Sequence, residues 1–351
     1  MRVKIVSEEK IHTEKPLDEL WLQLRLFECE YYSRQFLKDK YNDITDEELN
    51  NLSVIFASNI KQAYEYYSAA SSVSILTSPL LYYYGMMCLT NVIWATINKT
   101  KNISKKHGLG SKSDGSDHSL SNEYVTIHKN GSFPALHACF SDFPIKEGTK
   151  FYIKDILSVI PELNPLFEKI YNEKPRLIKL IRRNLSFDTL SMDRDDILHF
   201  REVLKNNDDF LKQYNLKPFI NLLDEIIGIS FPYSLNNILS DYPLQKNMNG
   251  EMYLTLPIKT ANTSYAIPEA SAHFIVMHSL GMLVRYEPIK WLQIVSGKLS
   301  SDITLINRFI DISKRKFPNI ILNGLLGKDM QFIMNNDYCN PALKGIDPMI
   351  Y

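Results

Sequence analysis

The sequence predicts a mainly α-helical (α+β) protein, in which helices from both ends of the chain form one bundle around a small β-containing insertion. Long segments near both ends carry apolar residues three and four positions apart, which is the period of an amphipathic helix. The middle of the chain is more polar and turn-rich, and its apolar runs are short. With 351 residues, 45% of them hydrophobic, the chain is long enough to bury a sizeable core.

Three helices are predicted in the amino-terminal part. Apolar spacing predicts the first over residues 17–40, with acidic side chains in its first turn and lysines in its last. The second covers residues 46–70, and Thr45 with Glu48 forms a capping box at its start. The third opens at Pro79 and is apolar almost all round, so we expect it at the centre of the bundle.

The middle of the chain is predicted to hold a long loop and several short elements. Residues 98–122 are rich in Lys, Ser, Gly, Asn and Asp, a composition typical of a loop. Two short strands are expected at residues 123–128 and 133–140, because Asn130-Gly131 between them is a hairpin turn signal. The other expected elements are a helical stretch over 154–171 broken near Pro161 and Pro165, a strand or helix over 176–185, helices over 195–214 and 218–227, and a strand within 251–258.

Two helices are predicted in the carboxyl-terminal part. One begins at Pro268 and ends in a polar and aromatic segment, RYEPIKW, at residues 285–291, which we call the RYEPxxW segment. The other covers residues 302–316. Because each end carries apolar helices that a separate small domain could not cover, we expect the two ends to share one core. The predicted organisation is a helical part over 1–98, a loop and mixed α/β insertion over 99–260, and a helical part over 261–351 that packs on the first.

Charge and cysteine content limit the classes of function. Lys plus Arg and Asp plus Glu both number 40, so the net charge is zero, which argues against a chain-wide basic footprint for nucleic acid but leaves a local patch open. The four cysteines form no C-x-x-C pair, which argues against a zinc site or a disulfide scaffold. No signal-peptide run or uncharged transmembrane-length stretch is recognised. We therefore expect a cytoplasmic protein with no membrane contact, metal or cofactor.

Two stretches of the sequence resemble a known bacterial family. The run PLLYYYGMMCLTNVI and the basic HGLG loop after it are similar to the amino-terminal half of YaaC-like proteins. Residues 272–291 and 301–326 are similar to their carboxyl-terminal half, so that the resemblance spans residues 21–326. The most specific motifs of this resemblance are the dipeptide His107-Gly108 and the RYEPxxW segment that begins at Arg285. The resemblance implies a fold and a bacterial cytosolic compartment, and it implies no particular reaction.

The long amino-terminal helices also resemble HEPN-type helical bundles, which implies a toxin, an RNA-targeting nuclease or a phage-defence protein. HEPN-type nucleases carry an arginine and a histidine four to six residues apart on a helix, for phosphate charge and acid–base chemistry. Arg194 and His199 fit this spacing and are the candidate catalytic pair. The alternative is a surface helix in which the two residues meet the pattern by chance.

A basic loop supplies candidates for binding a phosphate. Lys105, Lys106 and His107 lie beside glycines, a pattern that fits a phosphate- or RNA-binding loop and also a helix end capped by Gly108. The basic run at residues 174–183 can contact RNA or an acidic partner, or it can form an amphipathic edge. Six tyrosines offer either stacking platforms for bases or interhelical contacts: Tyr64, Tyr66, Tyr67, Tyr82, Tyr83 and Tyr84.

The RYEPxxW segment offers a second candidate anion site. Arg285 can hold an anionic ligand bidentately, with Glu287 and Trp291 beside it, or it can fix a packing corner of the helix. His273 and His278 are five residues apart on the apolar helix that precedes the RYEPxxW segment, so they do not share one face of that helix. We therefore interpret both as core histidines rather than metal ligands.

Our first expectation for function is a non-catalytic interaction or regulatory protein in a bacterial cytosolic assembly concerned with phage defence or stress, with a protein partner or a second copy of itself. The first alternative is a HEPN-like ribonuclease that acts on nucleic acid through Arg194 and His199. The second is a nucleotide- or phosphate-binding module, which requires the basic loop near His107 and the RYEPxxW segment at Arg285 to converge on one pocket. The motifs of serine hydrolases, zinc proteases and dinucleotide-binding proteins are missing from the sequence.

Overall fold

The computed structural model describes the following residues of the chain: 2–41, 43–99, 106–115, 119–181, 189–204, 208–214, 217–220, 226–230, 243–261, 263–298 and 300–334. The α-helices in this part of the chain are α1 (Pro16–Arg25), α2 (Glu30–Lys40), α3 (Asp46–Ser72), α4 (Ser78–Asn98), α5 (Ser132–Phe140), α6 (Ile153–Leu157), α7 (Asn164–Tyr171), α8 (Arg194–Leu204), α9 (Asp208–Gln213), α10 (Glu269–Tyr286), α11 (Pro288–Val295) and α12 (Asp302–Leu326). Short 3-10 helices are Leu26–Glu28, Leu120–Asn122 and Pro161–Leu163.

The strands are short and form small separate sheets. In chain order they are β1 (Ser7–His12), β2 (Leu109–Ser113), β3 (Glu123–Ile127), β4 (Lys150–Tyr152), β5 (Leu177–Leu180), β6 (Thr189–Ser191), β7 (Lys217–Ile220), β8 (Ile226–Ser230), β9 (Leu244–Lys246), β10 (Met252–Thr255), β11 (Ile258–Lys259), β12 (Ser264–Tyr265) and β13 (Lys328–Ile333). The three-stranded sheets have the orders β2-β3-β4, β5-β10-β9 and β6-β8-β7, and all their pairings are antiparallel. Strand β1 pairs in parallel with β13, so both ends of the described chain meet in one sheet.

Helix α4 is the centre of the main core. It packs against α3, α5, α10 and α12, and its buried side chains include Tyr83, Leu89 and Ile93. The ends of the chain also meet at the surface, where Lys40 Nζ of α2 donates to the carbonyl oxygen of Leu325 in α12 at 3.2 Å. The prediction of a mainly helical bundle built from both ends of the chain, with a small β-containing insertion, is confirmed.

A second, smaller core lies in the insertion. Its buried members include Ile178 on β5, Phe200 on α8 and Leu254 on β10. The sheet β5-β10-β9 therefore has its own apolar support beside the helical core. The proposed division at residues 98–99 and 260–261 stays a prediction.

Helix α4 is long and apolar enough to cross a membrane by length and composition alone, but 61% of its apolar window is buried inside the protein. Its Tyr82 contacts Tyr67 of α3, with ring centroids 5.2 Å apart. Gly85 allows the two helices to approach closely, because an ideal Cβ at this position would lie 2.5 Å from the Tyr67 ring. In this fold α4 is the central core helix.

The capping box at the start of α3 is present as predicted. The Thr45 hydroxyl accepts from the backbone N–H of Glu48, and the Glu48 carboxylate accepts from the backbone N–H of Thr45 at 3.0 Å. The helix predicted over residues 17–40 is instead divided into α1 and α2. The chain is extended at Cys29, and this break lets the buried ring of Phe27 pack against Phe56 of α3. Tertiary packing overrides the continuous helical period here.

Two further predictions of element type were wrong. Residues 133–140, expected as a strand, lie in α5, and Phe133, Leu136 and Cys139 recur at helical spacing on its buried side. A short apolar run does not by itself distinguish a strand from a buried helix. The described ends of the helix expected over residues 218–227, which are residues 218–220 and 226–227, lie instead in β7 and β8, and these strands pair with each other.

The lengths of two other elements differ from the prediction. The loop expected over 98–122 contains β2, which pairs with β3 along its whole length. The last helix, expected to end at residue 316, continues to Leu326 with Pro318 inside it and ends at Gly327, whose φ is +67°. Buried side chains on both sides of Pro318 explain why the helix continues past a residue without a backbone N–H.

Trp291 on α11 is a test of the shared core, because it is 2% exposed and its neighbour Leu292 is 56% exposed. We expect Trp291→Ala to lower the free energy of unfolding by about 3–5 kcal/mol through the cavity it leaves. Leu292→Ala, the matched control on the same helix, should change the free energy by less than about 0.5 kcal/mol. Urea denaturation of both variants gives the comparison, and equal small effects would contradict the assignment of α11 to the core.

Candidate functional site

The turn that carries His107 is held in place by backbone contacts with the start of α5. The N–H groups of Ser132 and Phe133 donate to the carbonyl oxygens of Lys106 and His107, at 2.9 and 3.0 Å. These amides belong to the first turn of α5, where a helix has no internal acceptor for them. Because they are already engaged, they position the His107 side chain instead of binding a ligand themselves.

Two glycines make this turn possible. Gly108 has a φ of +79° and Gly131 a φ of +146°, and an ideal Cβ on Gly131 would lie 2.3 Å from the backbone nitrogen of Gly108. The glycines therefore serve close packing of two backbone segments. The sequence suggested that glycine would let the backbone approach a phosphate, or that Gly108 would cap a helix. The structure instead ends α4 at Asn98, with Lys99 in the left-handed region.

His107 meets the buried face of α4 at Tyr83. The Tyr83 hydroxyl lies 2.8 Å from His107 Nδ1, and the two ring centroids are 5.5 Å apart. Burial raises the pKa of Tyr83 well above its ordinary value, so the phenol remains protonated and can donate to Nδ1. A neutral His107 that accepts at Nδ1 carries its proton on Nε2, where it is a hydrogen-bond donor.

His278 of α10 closes the cluster from the inside. Its Nδ1 lies 3.2 Å from Ser111 Oγ on β2, and its ring makes an edge contact with Tyr83 at 5.1 Å. Burial, together with the neighbouring His107 and His128, lowers the pKa of His278 to about 3. His278 is therefore a neutral ring near pH 7. Its Nε2 is buried and has no hydrogen-bond partner among the described residues.

Arg285 adds a positive charge at the exposed edge of this group. It lies in the last turn of α10, and its Nη1 donates to the Tyr84 hydroxyl at 3.1 Å. Burial, and then the charge of Arg285, lower the pKa of His107. Within the part of the chain that the structure describes, no carboxylate lies within ion-pair distance of Arg285. We call Tyr83, Tyr84, His107, His278 and Arg285 the His–Arg cluster.

An aromatic surface continues from the cluster onto α3. The rings of Tyr66 and Tyr84 have centroids 5.7 Å apart and planes inclined by 30°, and both side chains are half-buried. The guanidinium of Arg285 also lies over the ring of Tyr286, 4.9 Å from its centroid. A positive charge and half-exposed aromatic faces are thus adjacent on the surface.

The structure brings together two of the residues that the sequence singled out for anion binding, His107 and Arg285. Lys106 is exposed beside His107, and Lys105 lies outside the described residues. Glu287 is exposed between α10 and α11, and its described contacts do not include Arg285. Trp291 is buried in the main core, where its Nε1 has no described partner, so the cluster does not include it.

The catalytic pair proposed from the sequence lies on α8, in the insertion. Arg194 is exposed at the first residue of this helix. His199 Nε2 lies 3.1 Å from the carbonyl oxygen of Pro175, and burial is the main cause of its lowered pKa. This backbone contact gives His199 a structural partner, and the pair stays a prediction.

The sequence did not reveal that the tyrosines and His278 belong with His107. It singled out Tyr83 and Tyr84 only as stacking platforms or interhelical contacts, and it singled out His278 as a core histidine. No local sequence pattern links Tyr83 and His278 to Ser111, since these three residues lie on α4, α10 and β2. Among the residues that the structure describes, no group of three or more His, Cys, Asp and Glu side chains is arranged to hold a metal ion.

The chain is a mainly helical protein in which histidine, tyrosine and arginine side chains cluster between α4, α10 and the turn before β2. The chain belongs to the YaaC-like family: the family model described as YaaC-like Protein matches residues 25–325. The match covers every residue of the His–Arg cluster. No curated protein and no solved structure matches the chain.

Burial of His278 predicts a dependence of stability on pH. The folded ring has a pKa of about 3 and the unfolded ring one near 6.5, so the unfolded state binds a proton first as the pH falls. The free energy of unfolding therefore decreases from pH 6.5 downward until about pH 3. His278 alone should contribute a loss of about 2 kcal/mol between pH 7 and pH 5.

His278→Asn removes this titration and keeps an amide that can bond to Ser111. Urea denaturation at pH 7 and pH 5 should show a loss of stability in the variant that is about 2 kcal/mol smaller than in the wild type. Equal losses in the two proteins would show that His278 is not held neutral by the fold.

Proposed function

We propose that this chain is a binding module for nucleotides and other phosphate-bearing ligands, and that the His–Arg cluster is the site. The observation that carries the proposal is the meeting of the basic turn at His107 with the end of α10 at Arg285. Tyr83 and Tyr84, adjacent on α4, each bind one of the two. A phosphate-binding interpretation of the sequence required these two segments to converge on one pocket, and their bonds to adjacent tyrosines of α4 support that convergence.

The electrostatics of the cluster favour an anion. Arg285 donates to the Tyr84 hydroxyl, and its charge disfavours protonation of His107. A phosphate placed between them would accept from the guanidinium bidentately and from His107 Nε2. It would also offset the repulsion that a protonated His107 experiences, so binding should favour the charged imidazole.

The neighbouring aromatic rings favour a nucleotide over inorganic phosphate. Tyr66 and Tyr84 present half-exposed faces beside Arg285, and tyrosine faces stack with nucleobases. Lys106 is exposed next to His107 and adds positive charge near the same place. The proposal therefore combines a phosphate contact at Arg285 with a base contact on the tyrosines.

The other functions expected from the sequence stay predictions. A role as a non-catalytic interaction or regulatory protein in phage defence or stress, with a protein partner or a second copy of the chain, is compatible with nucleotide binding. A cytoplasmic location is likewise a proposal. The HEPN-like ribonuclease has weaker support, since His199 is engaged by the backbone of Pro175 while Arg194 is exposed at the start of α8.

Calorimetric titration of the full chain with AMP and with adenosine tests the proposal. Removal of a charged hydrogen-bond donor at an exposed site should weaken AMP binding by about 5–10-fold in Arg285→Ala. His107→Asn should act in the same direction, because Asn can keep the bond to Tyr83 but lacks the Nε2 donor. Binding of adenosine, which lacks the phosphate, should be equal in the wild type and both variants.

Arg34→Ala is the matched control, since it removes the same charge from α2. Arg34 pairs with Asp46 at the start of α3, and Tyr66 lies about 30 Å further along that helix by the rise per residue. The control should bind AMP as the wild type does. Absence of AMP binding in the wild type, or the same affinity in Arg285→Ala as in Arg34→Ala, would contradict the proposal.

A further inference from the structure

A separate cleft of about 670 Å³ lies between the helical core and the small sheet of the insertion. Its walls come from α12, the first residues of α10, β9 and β10, and β13. This volume is within the usual range for pockets that hold small organic molecules. None of the residues of the His–Arg cluster lines the cleft.

Three of the four basic side chains that line the cleft face carboxylates. The ion pairs are Arg2 Nε to Asp142 Oδ2 at 3.0 Å, Lys246 Nζ to Asp329 Oδ2 at 2.7 Å, and Lys316 Nζ to Glu162 Oε1 at 3.0 Å and to Glu269 Oε1 at 3.1 Å. The attraction of Glu269 and Glu162 keeps the pKa of Lys316 above its ordinary value although burial acts in the other direction. The charge of these three side chains is therefore compensated within the protein.

Arg315 is the exception. Its Nη2 donates to the carbonyl oxygen of Phe332 at 3.4 Å, which is a long hydrogen bond. No carboxylate of the described chain lies within ion-pair distance of its guanidinium. The side chain is half-buried, and burial lowers its pKa although the charge of Glu162, which is paired with Lys316, acts in the other direction. A guanidinium has five N–H donors, and in a half-buried position unused donors lose hydration without gaining a partner.

The cleft is also lined by apolar and aromatic side chains. They include Phe143 and Tyr214, whose rings make an edge contact at 5.0 Å, together with Met252 and Ile267. A ligand that fills this space needs an apolar body, because these side chains offer dispersion contacts and few hydrogen bonds.

We propose that the cleft binds a small organic oxyanion, a molecule with an apolar body and one carboxylate, sulfonate or phosphate group. The oxyanion accepts bidentately from the Arg315 guanidinium, whose planar fork matches such groups. The apolar body lies against the Phe143 and Met252 side of the cleft. This site does not depend on the nucleotide site, because the two share no residue.

Fluorescence titration of the full chain with 8-anilinonaphthalene-1-sulfonate tests the proposal, since this probe has a sulfonate on an aromatic body. N-phenyl-1-naphthylamine is the matched uncharged probe, because it has the same rings without the sulfonate. We expect one sulfonate probe bound per chain. Arg315→Met, which keeps an apolar stem, should weaken the sulfonate probe by about 10-fold or more and the uncharged probe by less than about 2-fold.

Arg308→Met is the control on the same helix, because Arg308 is exposed and does not line the cleft. It should bind both probes as the wild type does. Arg315→Lys keeps the charge but loses the fork, so its affinity for the sulfonate probe should be intermediate. If Arg315→Met does not fold, the comparison of Arg315→Lys with Arg308→Met decides the question by the same criterion.

Three results would overturn the proposal: no saturable binding of the sulfonate probe, equal affinities of the wild type and the Arg315 variants, or equal weakening of both probes. The last would show that Arg315 supports the walls of the cleft without contacting the anion. Failure of AMP to bind at the His–Arg cluster would leave this test unaffected, so the two proposals fail separately.

Discussion

The packing of α4 against α10 is the contact on which the rest of the structure depends. Gly281 of α10 faces Leu80 and Tyr83 of α4, and an ideal Cβ at Gly281 would lie 3.5 Å from Tyr83 Cβ. The two helix backbones are therefore close enough that a single Cβ atom would fill the space between them. This close approach places Tyr83 of α4 against His278 of α10. It also places Tyr84 of α4 within hydrogen-bond distance of Arg285, at the end of α10. The core and the His–Arg cluster thus have one structural origin.

Compensation of charge distinguishes the interior of the protein from its two candidate sites. Lys316 is almost fully buried, and it is paired with Glu162 and Glu269, as the cost of burying an isolated charge requires. Arg285 and Arg315 have no such carboxylate within the described parts of the chain. Arg285 is exposed and Arg315 lines the cleft, so an anionic ligand is the partner we propose for each guanidinium.

The features that sequence predicts well here are local. The capping box at Thr45 and the uniformly apolar run after Pro79 each determine their own element, because the relevant interactions lie within one helix. The predictions of a strand over residues 133–140 and a helix over 218–227 were wrong, because short segments take their secondary structure from the elements they pack against. The first becomes a helix whose amides hold the His107 turn, and the described ends of the second lie in two paired strands of a sheet.

The candidate site could be predicted only in its parts. His107 and Arg285 were recognisable from their residue types and neighbours, whereas their meeting depends on the long-range contact between α4 and α10. Ser111 and His278 could not be joined by any local rule, because β2 lies in a segment whose composition is typical of a loop. The bond of Arg315 to the backbone of Phe332, with no ion pair to a described carboxylate, depends equally on where β13 passes α12.

Hydrogen exchange with increasing urea, followed by mass spectrometry of the full chain, tests the α4–α10 contact most directly. If both ends of the chain form one cooperative core, peptides from α4, α10 and α12 should lose protection at the same urea concentration. Loss of protection in α10 and α12 at a lower urea concentration than in α4 would contradict the account. It would show that the carboxyl-terminal helices unfold independently, and the His–Arg cluster would then lack a common support.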